Sequence, residues 1–200
     1  MSVNNTSCTS VSGIIMAAGF SRRMTRDKLL LPLNGSPMVE HVVRAATASM
    51  LGETLIVYRD ATVAGVGARY KLACVCNDHA AEGQSASIRL GVAAAGTDAC
   101  AYMFLVGDQP FLTAGIIDRI IEAHARCPKS IIVPRYGAKR GTPTLFPADL
   151  RDELLTLQGD SGGRQIMDAM PERIREILID DTRCGLDIDT PGTYRSITGS

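Results

Sequence analysis

Short apolar runs recur along the chain, each closed by a glycine, a proline or a polar break. GIIMAA (13–18), TLIVY (54–58), LACVC (72–76), AYMFLVG (101–107) and SIIVPR (130–135) are continuous rather than alternating. Their shortness and their breakers predict strands covered on both faces. The stretches between them at 37–50, 85–96 and 113–125 carry apolar residues at helical spacing. In the last of these, Ile116, Ile117, Ile120 and Ile121 share one face, with Thr113 as the expected N-cap. Strands alternating with helices predict an α/β fold: a mainly parallel open sheet, helices on both faces, right-handed crossovers.

Beyond residue 135 the pattern changes. YGAKRGTPTLF reads as a loop with a short strand, PADLRDELLTL as a helix with Pro147 at its start, and GDSGGRQIMDAM as the opening of another helix. RIREILI fits a strand, and DIDTPGTYRSI a turn into a final helix in which Thr190 caps and Pro191 opens the first turn. No internal repeat or low-complexity linker divides the chain. Residues 13–200 are expected to form one domain whose last third decorates the sheet, preceded by a flexible tail at 1–12.

Size and charge narrow the function. A chain of 200 residues can bury about 70% of its unfolded surface, so it needs no disulfide staples. Lysine plus arginine equals aspartate plus glutamate at 21 each, and aromatic content is 4% with no tryptophan. That balance disfavours nucleic-acid binding, which relies on phosphate neutralisation and base stacking. The longest apolar run has nine residues, against about 18 for a membrane span. The polar N-terminus lacks the features of a signal peptide. The six cysteines are scattered without zinc spacing, as expected of buried or idle thiols in a reducing cytoplasm.

Ligands of open parallel sheets sit beyond the carboxyl ends of strands, and the polar chemistry of this chain falls there. After the first run, Gly19 permits close approach and Arg22, Arg23, Arg26 and Lys28 follow within a few residues. They form either a phosphate cradle or a solvated basic loop. In GDQP (107–110), Asp108 either caps a turn or holds a hard cation such as Mg²⁺. Gly83 to Ser87 precede a helix whose N-terminus could receive an anion or read a base edge, or Ser caps it. Gly162 and Gly163 cost helix stability, about 1 kcal/mol each, and suit a close backbone approach with Arg164 aimed at an anion. Asp187 and Asp189 fall on one side of an extended stretch, where one carboxylate could complete a metal site. His41, His79 and His124 have no zinc spacing, and no nucleophile elbow is present.

MAAGFSRRMTRDKLLLPLNGSPM, NDHAAEGQSASIRLG, GDQPFL, GTPTLF, GDSGGR and DIDTP follow one another in an order that resembles the molybdenum cofactor cytidylyltransferase family, over about residues 13 to 195. That family is related to the molybdenum cofactor guanylyltransferases and, more distantly, to sugar-phosphate nucleotidyltransferases. The resemblance implies a Rossmann-like nucleotidyltransferase fold and transfer of CMP from CTP to the phosphate of molybdenum cofactor, with release of pyrophosphate. Met16, Ala17, Ala18 and Gly19 would line the nucleotide through their backbone, and Arg22, Arg23 and Lys28 would face its phosphates. Asp108 would hold Mg²⁺ with Asp189 as second carboxylate. Gly83 and Ser87 would lie near the base, and Gly141, Pro143, Gly162 and Arg164 near the acceptor. The double alanine of MAAG resembles the cytidylyl branch, pointing to CTP. A molybdenum hydroxylase apo-enzyme would be a downstream partner. Two positions depart from the family pattern: Thr25, where glycine is usual, and Thr142, where many relatives carry histidine.

Such chemistry explains why no histidine base is needed. A phosphate nucleophile is already ionised near pH 7, so catalysis reduces to alignment and charge neutralisation. Transfer from GTP or to a sugar phosphate is the rival within enzymes. A non-catalytic molybdenum cofactor carrier is the rival outside them, but it would need neither Lys28 nor Asp108. A dinucleotide-dependent oxidoreductase is disfavoured by the lack of G-x-G-x-x-G.

Overall fold

The computed structural model describes residues 10–21, 24 and 27–199. Arg22, Arg23, Thr25 and Arg26 lie outside the described residues, as do residues 1–9. The described elements run β1 (Ser10–Ala17), β2 (Pro32–Leu33), β3 (Ser36–Pro37), α1 (Met38–Thr47), β4 (Glu53–Tyr58), α2 (Ala61–Arg69), β5 (Ala73–Cys76), α3 (Gln84–Ala94) and β6 (Ala99–Val106). Then follow α4 (Ala114–Arg126), β7 (Ile131–Tyr136), β8 (Lys139–Arg140), β9 (Thr144–Pro147), α5 (Arg151–Thr156), α6 (Arg164–Ala169), β10 (Ile174–Ile179) and α7 (Pro191–Thr198). The main sheet has the order β10-β7-β9-β6-β1-β4-β5, with β8 paired to β7. β5, β4, β1 and β6 run parallel, as do β7 and β10.

The continuous apolar runs are explained by helices on both faces. Neighbouring residues of one strand enter opposite cores: Ile15, Met103 and Leu105 face α1, α2 and α4, whereas Ile14, Tyr102 and Phe104 face α3, α5 and α6. Ile14 and Ile15 are wholly buried, and each such side chain contributes roughly 1.5–3 kcal/mol by leaving water. The fold class is therefore the expected mainly parallel α/β sheet, of Rossmann-like form.

Three expectations change. β1 begins at Ser10, so residues 10–12 belong to the sheet rather than to a tail that ends at 12. Serines carry little strand signal, but the Ser12 hydroxyl donates to Glu53 and is satisfied inside. The last third does more than decorate: β9 is inserted antiparallel between β6 and β7. Only four residues long, it is too short to show an alternating period, and Pro147 both ends this strand and stands at the N-cap of the helical stretch that follows. A short 3-10 turn at 148–150 intervenes before α5. β5 is an edge strand with nothing paired to its outer side among the described residues, and its Cys74 and Cys76 are exposed rather than buried.

α2 is an element the apolar pattern did not announce. Asp60 starts it by accepting from the Thr62 N–H at 2.7 Å. Thr113 sits at the N-cap of α4 but makes no side-chain capping bond. Thr190 caps α7 as expected, accepting from Thr193 N–H at 3.1 Å. No helix among the described residues is long and apolar enough to cross a membrane.

Candidate active site at the ends of β1 and β6

β1 and β6 are adjacent and parallel, so their carboxyl ends open on the same side of the sheet. The Gly107 N–H donates to Met16 O at 3.1 Å and locks the two ends together. Past β1, the chain returns to this point at a 3-10 turn over Lys28–Leu30. Asp27 starts the turn, its carboxylate accepting from Leu29 N–H and from the Ser21 hydroxyl, both at 3.1 Å. Leu29 is buried in the core. Its methyl group lies against Gly107: a Cβ on that glycine would stand 3.1 Å from it. With Leu29 anchored there, Lys28 stands beside Asp108, and its ammonium contacts both Asp108 Oδ2 and Asp189 Oδ1.

Asp189 reaches this point from the far end of the chain. The Ile188 N–H donates to Asp108 O at 3.1 Å, and Ile188 is wholly buried. This pins the 187–189 stretch so that both flanking carboxylates face the cleft. Gln109, almost wholly buried, links three segments. Its amide donates to Asp187 Oδ1 at 2.8 Å, and its oxygen accepts from Thr142 Oγ1 at 2.9 Å.

The charges respond to this crowding. Burial opposes the Lys28 ammonium, but Asp108 and Asp189 outweigh it and hold its pKa above the ordinary lysine value. Burial, then Asp108 and Asp189, push the Asp187 carboxyl up; the Gln109 amide and Lys28 partly offset this. Among the described residues no group of three or more His, Cys, Asp or Glu is arranged as a metal cage. Mg²⁺ does not demand one: one or two carboxylates plus substrate phosphates and water suffice. Asp108 and Asp189, already converging on one cation, fit that requirement with oxygen donors only.

A cleft of about 470 Å³ opens over these residues, within the range of small-ligand sites. Of the expected site residues, Met16, Asp108, Gly141, Arg164 and Asp189 line it. Ala17 and Ala18 are buried, Ala17 in the core, while Gly19 is exposed with open space around it. Gly83, Ser87, Pro143 and Gly162 stand off the lining. Gly83 adopts φ +101° and packs on the 159–160 backbone, where a Cβ would meet Gly159 O at 2.6 Å. The Ser87 hydroxyl accepts from Asn77 Nδ2 at 2.9 Å, a bond that fixes α3 to the loop after β5. Gly162 has φ +53° and abuts Gln84. Pro143 follows Thr142 through a cis peptide. Arg22 and Arg23 lie outside the described residues.

Several lining residues escaped the sequence reading. Phe104 and Phe146 pack edge to face at 5.8 Å and form an apolar floor. Asp168 and Arg140 also line the wall, as do Ser161 and Gln84, the latter within the expected Gly83–Ser87 stretch. Gln109, behind the lining, was discoverable because it follows Asp108 directly; the short strand expected in YGAKRGTPTLF holds Phe146, but nothing local showed that its side chain would reach the cleft.

Over 194 residues the chain is 30% identical to the purine catabolism protein PucB of Bacillus subtilis (strain 168), spanning 91% of this chain and 93% of that protein. It is also 30% identical over 163 residues to a molybdenum cofactor guanylyltransferase of Mesorhizobium japonicum, spanning 79% and 77% of the two chains. The crystal structure of Rv0371c from Mycobacterium tuberculosis H37Rv matches with a TM-score of 0.83 at 26% identity, covering 96% of this chain and 100% of that one. A manganese complex of the same mycobacterial protein matches with a TM-score of 0.79 at 26% identity, with the same coverage. Residues 13–174 match the MobA-like NTP transferase domain, and the chain belongs to this family of nucleotidyltransferases.

Proposed function

We propose that the chain is a Mg²⁺-dependent nucleotidyltransferase that moves CMP from CTP to the phosphate of molybdenum cofactor, releasing pyrophosphate. The observation that carries this reading is the Lys28 ammonium held against Asp108 and Asp189 at the edge of the cleft. It puts a phosphate-neutralising cation and a pair of hard oxygen donors at one point. An acceptor phosphate oxygen attacks the α-phosphorus, and the bond to the oxygen bridging to the β-phosphorus breaks. The acceptor needs no base, since a phosphate monoester with a second pKa near 6 is mostly dianionic at pH 7.

The chain's own groups then bind and orient. Backbone groups of Met16 to Gly19 lie along the nucleotide, with Gly83 and Ser87 toward its base. Lys28, Arg22 and Arg23 neutralise the phosphates, steadying charge that grows on the leaving pyrophosphate. Arg164 faces the acceptor phosphate, and Gly141, Pro143 and Gly162 shape that side. The apolar floor of Phe104 and Phe146 suits the flat ring of a pterin. Mg²⁺ on Asp108 and Asp189 would supply further charge neutralisation at the α-phosphate. A manganese complex of the mycobacterial neighbour supports a divalent cation. A molybdenum hydroxylase apo-enzyme is the proposed recipient of the product.

GTP is the second reading, because the Mesorhizobium relative is named a guanylyltransferase. A panel of CTP, GTP, UTP and ATP against molybdenum cofactor and sugar phosphates, scored by pyrophosphate release, tests both. CTP with molybdenum cofactor should give the largest kcat/KM. A preference for GTP would replace CTP in this proposal, and preference for a sugar phosphate would overturn the acceptor.

A further inference from the structure

We infer that Lys28 and the divalent cation occupy the Asp108–Asp189 pair in turn, so that metal binding is coupled to nucleotide binding through one side chain. The inference rests on the reading that these two carboxylates hold the metal. Lys28 Nζ touches one oxygen of each carboxylate and its side chain is only 13% exposed, so the ammonium fills the space between them. A metal bridging the same pair would sit about 2.0–2.1 Å from its oxygens. Two cations cannot share that position.

The exchange needs little movement of the backbone. Leu29 is buried and Asp27 caps the turn, so the Lys28 Cα is held in place. The four-carbon stem beyond it can still swing the ammonium by several ångströms. Charge decides when it swings. Without nucleotide, a metal that displaces Lys28 leaves a largely buried ammonium without its partners, which is costly. With a triphosphate present, the released ammonium meets phosphate oxygens and the cost is removed. Metal alone is therefore disfavoured, and metal with nucleotide is favoured. By linkage, the metal must tighten nucleotide binding by the same factor.

Mn²⁺ titrations of the full chain, followed by the electron paramagnetic resonance of free Mn²⁺ without nucleotide, test this. Lys28→Met should tighten Mn²⁺ binding by about tenfold, within the usual range of coupling factors. Arg140→Gln, which removes another cleft cation that does not touch the pair, should leave it within about twofold. No tightening in Lys28→Met, or equal tightening in both variants, overturns the exchange. Asp108→Asn separates this from failure of the metal reading: loss of Mn²⁺ binding keeps Asp108 as a ligand, whereas unchanged binding overturns that reading itself. Wild-type crystals soaked with Mn²⁺ and CTP provide a check that needs no variant. Lys28 Nζ should have left both carboxylates for the phosphates; Mn²⁺ between Asp108 and Asp189 with Nζ still on both overturns the inference.

Discussion

Gln109 donates its side-chain amide to Asp187 at 2.8 Å while accepting from Thr142 at 2.9 Å. One buried amide thus ties the end of β6 to the loop before β9 and to the 187–189 stretch. Gln109→Leu removes both bonds, but Thr142 is half-buried and Asp187 exposed, so water can take their place and the cost is that of the lost hydrogen bonds, about 0.5–1.5 kcal/mol each. For a chain of this size a lowering of Tm by roughly 2–4 °C per kcal/mol is expected, measured by calorimetry. Gln109→Glu keeps an acceptor for Thr142 but faces Asp187 with a second carboxylate, so kcat should fall more than Tm.

Asp108→Ala is expected to abolish pyrophosphate release with the far-ultraviolet circular dichroism unchanged. Asp108 lies at a strand end beside the cleft, and its loss removes no core packing. Lys28→Met should lower kcat by about 10²–10³-fold, as for other groups that meet developing charge. Full turnover in either variant would exclude that residue from the chemistry.

Chelation should stop pyrophosphate release, and added Mg²⁺ should restore it. Stability without nucleotide should barely change, because the Asp108 and Asp189 charges are already met by Lys28. Activity and thermal unfolding, measured in the same chelated samples, check both halves.

His124 predicts a pH dependence of stability. Its ring is buried on α4, and Nδ1 has no hydrogen-bond partner among the described residues. Burial lowers its pKa below the ordinary value of 6.5, and Asp149 only partly opposes this. The group is therefore depressed in the folded state. Its contribution is complete above pH 6.5 and is lost as pH falls from there through the lower folded value. Urea unfolding at pH 7.5 and 5.5 should show the loss, and His124→Leu should flatten that part of the profile.

Gly83→Ala should lower stability by about 1–3 kcal/mol, because φ is +101° and the added methyl meets the 159–160 backbone. The same change should raise the nucleotide KM if the start of α3 lies beside the base. A KM unaltered in the folded variant would confine Gly83 to a structural role.

The long strands, the mainly parallel sheet and the apolar faces of α1, α3 and α4 were legible, because each follows from local period and from burial on two faces; α2 and the two-residue strands were not. Met16 and Asp108, which line the cleft, were legible as candidates because strand ends mark the ligand side of an open sheet. Asp187 is not separable from Asp189 by sequence: both stand on one side of the same stretch. Their difference lies in Gln109 and Lys28, which the fold brings from 78 and 161 positions away.

The order of apolar runs by itself determined an α/β sheet with its polar loops at the strand ends, since those choices depend on neighbours a few residues apart. Only the tertiary structure decided that β9 would run antiparallel inside the sheet, that β5 would be an edge, and that Lys28 would stand between Asp108 and Asp189. These arise from contacts between distant segments. For the Lys28 site they include the burial of Leu29 and Ile188 and the pairing of charges, none of which leaves a period in the chain.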